Sequence, residues 1–177
     1  MTDIRFSAPA MSAKEIDEIA LAVRRLLGMK DPFLSVTDLL EFGLEKIAPG
    51  YTFNVAEREE MGERHGLVDT HEKLLTLRND VYERMVAHQG RDRFTGCHEF
   101  GHALLHGRNL NRLSPGTSGA IFCDPEWQAN TFASAILMPK HLIIQMRSVT
   151  EVKNEFGVSE AAAETRLRKL RVQLPKY

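Results

Sequence analysis

Cysteine is scarce. Cys97 and Cys123 are the only two in 177 residues, too few for the disulfide staples of a secreted scaffold of this length, so reduced thiols are the expected state. Long apolar runs are missing as well. None approaches the roughly 20 residues of a membrane-spanning helix, and mean hydropathy is −0.27. The first 20 residues carry Asp3, Glu15, Asp17 and Glu18 in place of a basic start, an apolar centre and a small-residue cleavage site. The expectation is a soluble, cytoplasmic protein. Nor is there an excess of one charge: 23 Lys and Arg against 24 Asp and Glu leave a formal charge of −1. That balance supplies no general pull toward nucleic acid or an anionic membrane. There is no internal repeat and no low-complexity segment. What is present is a 43% hydrophobic fraction with nine Phe, enough to build one packed core and to exclude wholesale disorder.

Periodicity and capping residues predict a mostly helical chain. Residues 11–27 space Ile16, Ile19, Ala20, Val23 and Leu26 as one helical face, with Ser12 as cap and Gly28 as stop. Ser35 or Thr37 opens a second helix that Pro49 and Gly50 end. Residues 51–55 read as a short strand, and 66–69 with 74–77 as a hairpin. Asn79 or Asp80 is placed to cap a helix stopping near Gly90, and Thr95 to cap another running to about Gly107. Residues 108–124 read as loop. Asp124 followed by Pro125 is a favourable helix opening, capping residue then first-turn proline, and Pro139 ends that helix. Two short helices, 150–156 and 159–170, close the chain around Gly157. The fold class expected is α+β, with a small antiparallel sheet of two or three strands packed on the helix that carries the chemistry.

That helix contains His98-Glu99-Phe100-Gly101-His102. On a helix, positions four apart share a face, so both imidazoles can meet one metal ion while Glu99 sits beside it. Imidazole and carboxylate ligands around an open position suit a catalytic zinc. A third ligand must come from elsewhere. His106 stands about 12 Å along the helix axis from His98 at roughly 1.5 Å per residue, too far to share the ion, and reads as a helix-end residue or a wall of the cleft. Glu126 is better placed, opening the next helix 24 residues after His102. Asn130 follows one turn on, suited to hydrogen-bond a ligand from behind.

The run Phe94-Thr95-Gly96-Cys97-His98-Glu99-Phe100-Gly101-His102-Ala103-Leu104-Leu105-His106, followed by Glu126-Trp127-Gln128-Ala129-Asn130 and on to Leu137-Met138-Pro139, resembles the ImmA/IrrE family of zinc metallopeptidases. With the preceding hairpin and helix, the resemblance spans roughly residues 36–139. It implies His98, His102 and Glu126 as zinc ligands and Glu99 as general base, in a bacterial or mobile-element regulator that cleaves a helix-turn-helix repressor. The departures are Gly96-Cys97, where apolar residues and alanine are common, and Ile136 for a usual leucine. By the mechanism this implies, zinc acidifies water and polarises the scissile carbonyl while Glu99 takes and returns the proton. An oxyanion donor is also needed. His65, His71, His88, His106, His141, Tyr51 and Tyr82 are of the right type, and the sequence does not choose among them.

Three readings of other features complete the picture. Residues 148–177 form a helix-turn-helix-like extension of a peptidase domain spanning 1–147, with Val152, Phe156, Val158, Ala162 and Leu167 turned onto the body. Basic Arg166, Arg168, Lys169 and Arg171 give that tail an alternative reading as a DNA-binding regulator, against which its two early glutamates count, so no specific DNA binding is expected. A catalytically idle interaction module is the other alternative, against which an intact Glu99 counts. Cys97 points away from His98 into the core, and neither it nor Cys123 needs a role beyond packing, although both stand near ligands.

Overall fold

The computed structural model describes residues 6–107, 110–112 and 119–174. Strand β1 (Phe6–Ser7) leads into α1 (Ala13–Leu26). Ser12 caps it reciprocally: the Glu15 amide donates to Ser12 Oγ at 3.2 Å, and the Ser12 amide donates to the Glu15 carboxylate at 2.8 Å. Each amide would otherwise be orphaned. Gly28 stops the helix at φ +67°, a conformation open to glycine at no steric cost. Ser35, accepting from the Asp38 amide, opens α2 (Val36–Asp38). This continues through a wider π-turn, Leu39–Gly43, into α3 (Leu44–Ile47). Then come β2 (Thr52–Ala56), α4 (Arg58–Met61), β3 (Gly66–Asp69), β4 (Leu74–Arg78), α5 (Asn79–Val86) and α6 (Gly90–Leu105). After β5 (Asn111–Arg112) follow α7 (Pro125–Leu137), α8 (Lys140–Ile143), α9 (Val149–Phe156) and α10 (Glu160–Leu170).

The fold is α+β, mostly helical with a small three-stranded sheet of order β2-β4-β3. The sheet is mixed where the sequence suggested antiparallel. β3 and β4 form the expected antiparallel hairpin, but β2 runs parallel to β4, Thr52 opposite Leu74 and Ala56 opposite Arg78. The cause is connectivity: α4 and β3 carry the chain back before β4 enters beside β2, so the two strands point the same way. Tyr51 precedes β2 and is buried in the core. A second pairing, β1 with β5, ties the N-terminus to the segment after α6.

Two helix starts differ from expectation. α5 opens at Asn79 with Arg78 in the cap position, and the Asp80 carboxylate accepts from Arg78 Nε. α6 opens at Gly90, and Thr95 lies inside it, donating to the Arg91 carbonyl at 3.3 Å. Gly90 reads locally as a stop, yet it is a packing glycine: a Cβ there would stand 2.6 Å from the Val158 carbonyl carbon. In the segment read as loop, β5 and a 3₁₀ turn, Ile121–Cys123, are formed, and residues 108–109 and 113–118 lie outside those described.

α6 and α7 cross closely because Gly101 has no side chain. A Cβ there would lie 3.3 Å from Ala129 Cα and 3.2 Å from Phe132 Cδ1, and Phe100 stacks on Phe132 one residue away. Gly96 is likewise filled round, by Met85 Sδ and Val36 Cγ1. Buried arginines close the ends of helices. Arg24 donates to the Ile136 carbonyl at 2.9 Å and Arg166 to the Met138 carbonyl at 3.1 Å, both at the end of α7, while Arg93 donates to the Phe156 carbonyl at 2.8 Å at the end of α9. Helix-end carbonyls have no partner within their own helix, and burying them unpaired is costly.

The C-terminal helices join the same core. Gly157 ends α9 in the left-handed conformation and Ser159 caps α10, with Val152, Phe156, Val158, Ala163 and Leu167 buried. Ala163, rather than Ala162, is the fully enclosed alanine, since capping at Ser159 sets the face that carries Arg166 and Leu167 inward. No helix among the described residues is long and apolar enough to cross a membrane.

Candidate metal centre

His98 and His102 stand one turn apart on α6, and their Nε2 atoms face each other at 3.0 Å. Glu126 arrives from the first turn of α7. Asp124 fixes that turn by accepting from the Glu126 amide at 2.9 Å, with Pro125 at the first helical position. The Glu126 carboxylate oxygens lie 3.3 Å from His98 Nε2 and 3.2 Å from His102 Nε2. Among the described residues these three form a group able to hold a metal ion. The spacing fits one: tetrahedral ligands about 2.0–2.1 Å from a shared ion stand about 3.3 Å from each other. Two imidazoles and one carboxylate also suit a divalent, borderline cation.

Behind these atoms the imidazoles are held by partners. His98 Nδ1 is 3.2 Å from Asn130 Oδ1. His102 Nδ1 is 2.9 Å from His106 Nδ1, and His106 Nε2 is 3.0 Å from Gln128 Oε1. His106 thus ends α6, lines the cleft, and sits apart from the converging Nε2 atoms. Its contact with His102 follows from the i, i+4 spacing, a signal available in the sequence. Gln128 gave no such signal, because its partners come from distant parts of the chain.

Glu99 lies beside His98 with its side chain against Gly66 of β3. Burial raises its pKa above the ordinary carboxylate value. Glu126 is held well below that value by its hydrogen bonds with His102 and His98. For His98, burial pulls the pKa down, but the bond to Glu126 and the charges of Glu99 and Glu126 outweigh it, and the net shift is upward. Burial pushes His106 down to about 4. Cys97 is fully buried and its thiol is pushed up to about 12 by that burial, which makes it inert. Cys123 is half-buried on the cleft wall.

The group opens into a cleft of about 830 Å³. One wall is β3, contributing Gly66, Leu67 and Val68, and the opposite wall is the start of α7. β3 is an edge strand, paired on one side with β4. Of the seven histidines and tyrosines considered as oxyanion donors, His106 alone lines the cleft among the described residues, and both its nitrogens are engaged.

No curated protein sequence matches the chain. A solved structure described as a Mycobacterium tuberculosis transcriptional regulator shares the fold, with a TM-score of 0.60 at 16% identity over 87% of this chain. The chain spans 46% of that protein's length. Residues 59–168 match the family described as the IrrE N-terminal-like domain, Peptidase_M78, and this stretch holds α6, α7, all three converging side chains and Glu99. Matched over well more than half of its length, the chain belongs to the Peptidase_M78 family, whose domain is metallopeptidase-like.

Proposed function

We propose that the protein is a zinc-dependent endopeptidase that cleaves a protein regulator, a helix-turn-helix repressor, in a bacterial cytoplasm. The carrying observation is the convergence of His98 Nε2, His102 Nε2 and the Glu126 carboxylate within 3.0–3.3 Å of one another, with a buried glutamate on the same helix. The regulatory setting draws on the transcriptional regulator that shares the fold and on the resemblance to ImmA/IrrE proteins. Residues 1–147 act as the peptidase domain, and 148–177 as a helical extension packed on it.

His98, His102 and Glu126 would hold the zinc, and Asn130 would orient His98. Zinc in this seat would supply Lewis acidity toward a water and toward the carbonyl to be cleaved. Glu99 accepts the proton of the attacking water and delivers it to the leaving nitrogen. In the metal-free protein burial raises its pKa, which favours the proton-accepting half of that exchange. The outer edge of β3 aligns substrate: an extended segment adds as a further strand through backbone hydrogen bonds, its scissile bond over the metal ligands. A helical repressor must therefore present a loop or a locally opened segment.

The test is incubation of the zinc-loaded protein with the repressor encoded nearest to it, with mass spectrometry of the fragments and the Glu99→Gln variant as control. One cut made by the wild type and not by the variant is expected. An uncut repressor panel with zinc bound favours the idle interaction module.

A further inference from the structure

Arg78, the last residue of β4, is almost completely buried and holds both ends of the return that leads into β3. Its amide donates to the His65 carbonyl at 3.0 Å, and its Nη1 donates to the Gly62 carbonyl at 2.9 Å. The rest of its guanidinium grips Asp80 with two bonds, Nε to Oδ1 at 2.5 Å and Nη2 to Oδ2 at 3.1 Å. Asp80 Oδ2 also accepts from Arg84 Nη1 at 2.8 Å. Arg84 in turn grips Asp92, Nε to Oδ2 at 3.1 Å and Nη2 to Oδ1 at 3.0 Å. Asp92 is buried in the first turn of α6. Two turns on, along the same face of that helix, stands Glu99. A chain of alternating charges therefore runs from the carbonyl of Gly62, just before β3, to the helix that carries Glu99.

We propose that Arg78, Asp80, Arg84 and Asp92 are positioning residues: a hydrogen-bonded charge network that sets the gap between the edge strand β3 and α6, and with it the place of the Glu99 carboxylate against Gly66. Sheet pairing alone does not set that gap. β3 is bonded in the sheet to β4 only, and a ladder fixes the spacing of strands while side chains decide how a hairpin sits on a helix. The network supplies that second constraint from both sides, Arg78 on the hairpin and Asp92 on the helix. Its two bidentate pairs fix direction as well as distance. A shift of about 1 Å at a reacting group costs about 100-fold in rate, so the gap matters more to turnover than to folding.

The consequence for catalysis rests on the endopeptidase reading with Glu99 as base, whereas the holding of the strand does not. Asp80 and Arg84 are half-exposed, so Asp80→Asn and Arg84→Met break the network at its middle without opening the core. Amide hydrogen exchange in the metal-free protein reads the strand. The Arg78 amide, bonded to His65, should exchange at least about 10-fold faster in both variants, while the Phe132 amide in α7 stays as slow as in the wild type. With zinc bound, and with a peptide that the wild type selects from a quenched library as probe, kcat should fall about 10–100-fold, with KM within about twofold and zinc content unchanged. Lys153→Met removes a comparably exposed ion pair, Lys153 with Glu160, and should move neither reading. Folded variants whose Arg78 amide exchanges like the wild type overturn the proposal, and so does faster exchange with unchanged kcat. If neither variant folds, the wild type decides: exchange at Arg78 should quicken several-fold between about 0.05 and 1 M NaCl, which screens the half-exposed middle of the network, and a flat response contradicts it. A wild type that cuts no peptide refutes the endopeptidase reading and leaves exchange to judge the network.

Discussion

Gly66 of β3 and Glu99 of α6 are in such close contact that a Cβ on the glycine would lie 2.5 Å from the glutamate Cγ and 2.8 Å from its Oε1. Only a residue without a side chain leaves the carboxylate its place between the edge strand and the metal ligands. Gly66→Ala is a mild change for the backbone, because Gly66 is not among the glycines with positive φ. The side chain of Glu99 can swing away, so stability should fall by no more than about 1 kcal/mol. Peptide cleavage should fall at least about 100-fold, with zinc content unchanged. Normal turnover by Gly66→Ala would mean that Glu99 does not work from this position.

Glu99→Gln separates the base from the ligands. Cleavage is expected to drop by several orders of magnitude while zinc stays bound. Stability moves the other way. Burial raises the Glu99 pKa in the fold, so the wild-type carboxylate gives its best contribution below the unfolded value and loses it as pH rises through the folded one. In the metal-free protein at neutral pH, the variant should therefore melt at an equal or higher temperature. A lower melting temperature would show that ionised Glu99 is stabilising.

Metal affinity should depend on pH through His98. In the metal-free protein its pKa is raised, so protons compete with metal from above the ordinary value downward. Apparent zinc affinity should hold near pH 8 and fall by about tenfold per pH unit for each competing proton once below pH 6.5 or so. Dialysis against metal buffers over that range measures it. A flat profile would remove the imidazoles from the ligand set.

The C-terminal helices should not read DNA. Of the basic residues that suggest it, Arg166 faces inward, donating to the Met138 carbonyl and pairing with Asp17 at 3.0 Å. Phe156 and Ala163 are fully buried. Mobility shifts at physiological salt should show weak, non-specific binding. Retention at about tens of nanomolar over competitor DNA would favour the regulator reading.

The sequence carries the site well because its main parts are local. His98 and His102 lie four apart on a helix, and Asp124-Pro125 sets the phase of α7 so that Glu126 and Asn130 come forward. What it hides is tertiary. Gly90 looks like a helix stop and Gly96 like a weak helix former, and they are places where Val158 and Met85 press in. The direction of β2 depends on how α4 and β3 return the chain, which strand composition does not encode. Gln128 looks like an ordinary helix residue until Pro9, more than a hundred positions away, accepts its hydrogen bond.

The central claim is the donor set, and anomalous diffraction at the zinc absorption edge tests it most directly. The account predicts one ion per chain within about 2.0–2.2 Å of His98 Nε2, His102 Nε2 and a Glu126 carboxylate oxygen, with His106 Nδ1 on His102 and outside the coordination sphere. An ion bound by His106 in place of Glu126, or crystals soaked in zinc with no anomalous peak between these side chains, would contradict it.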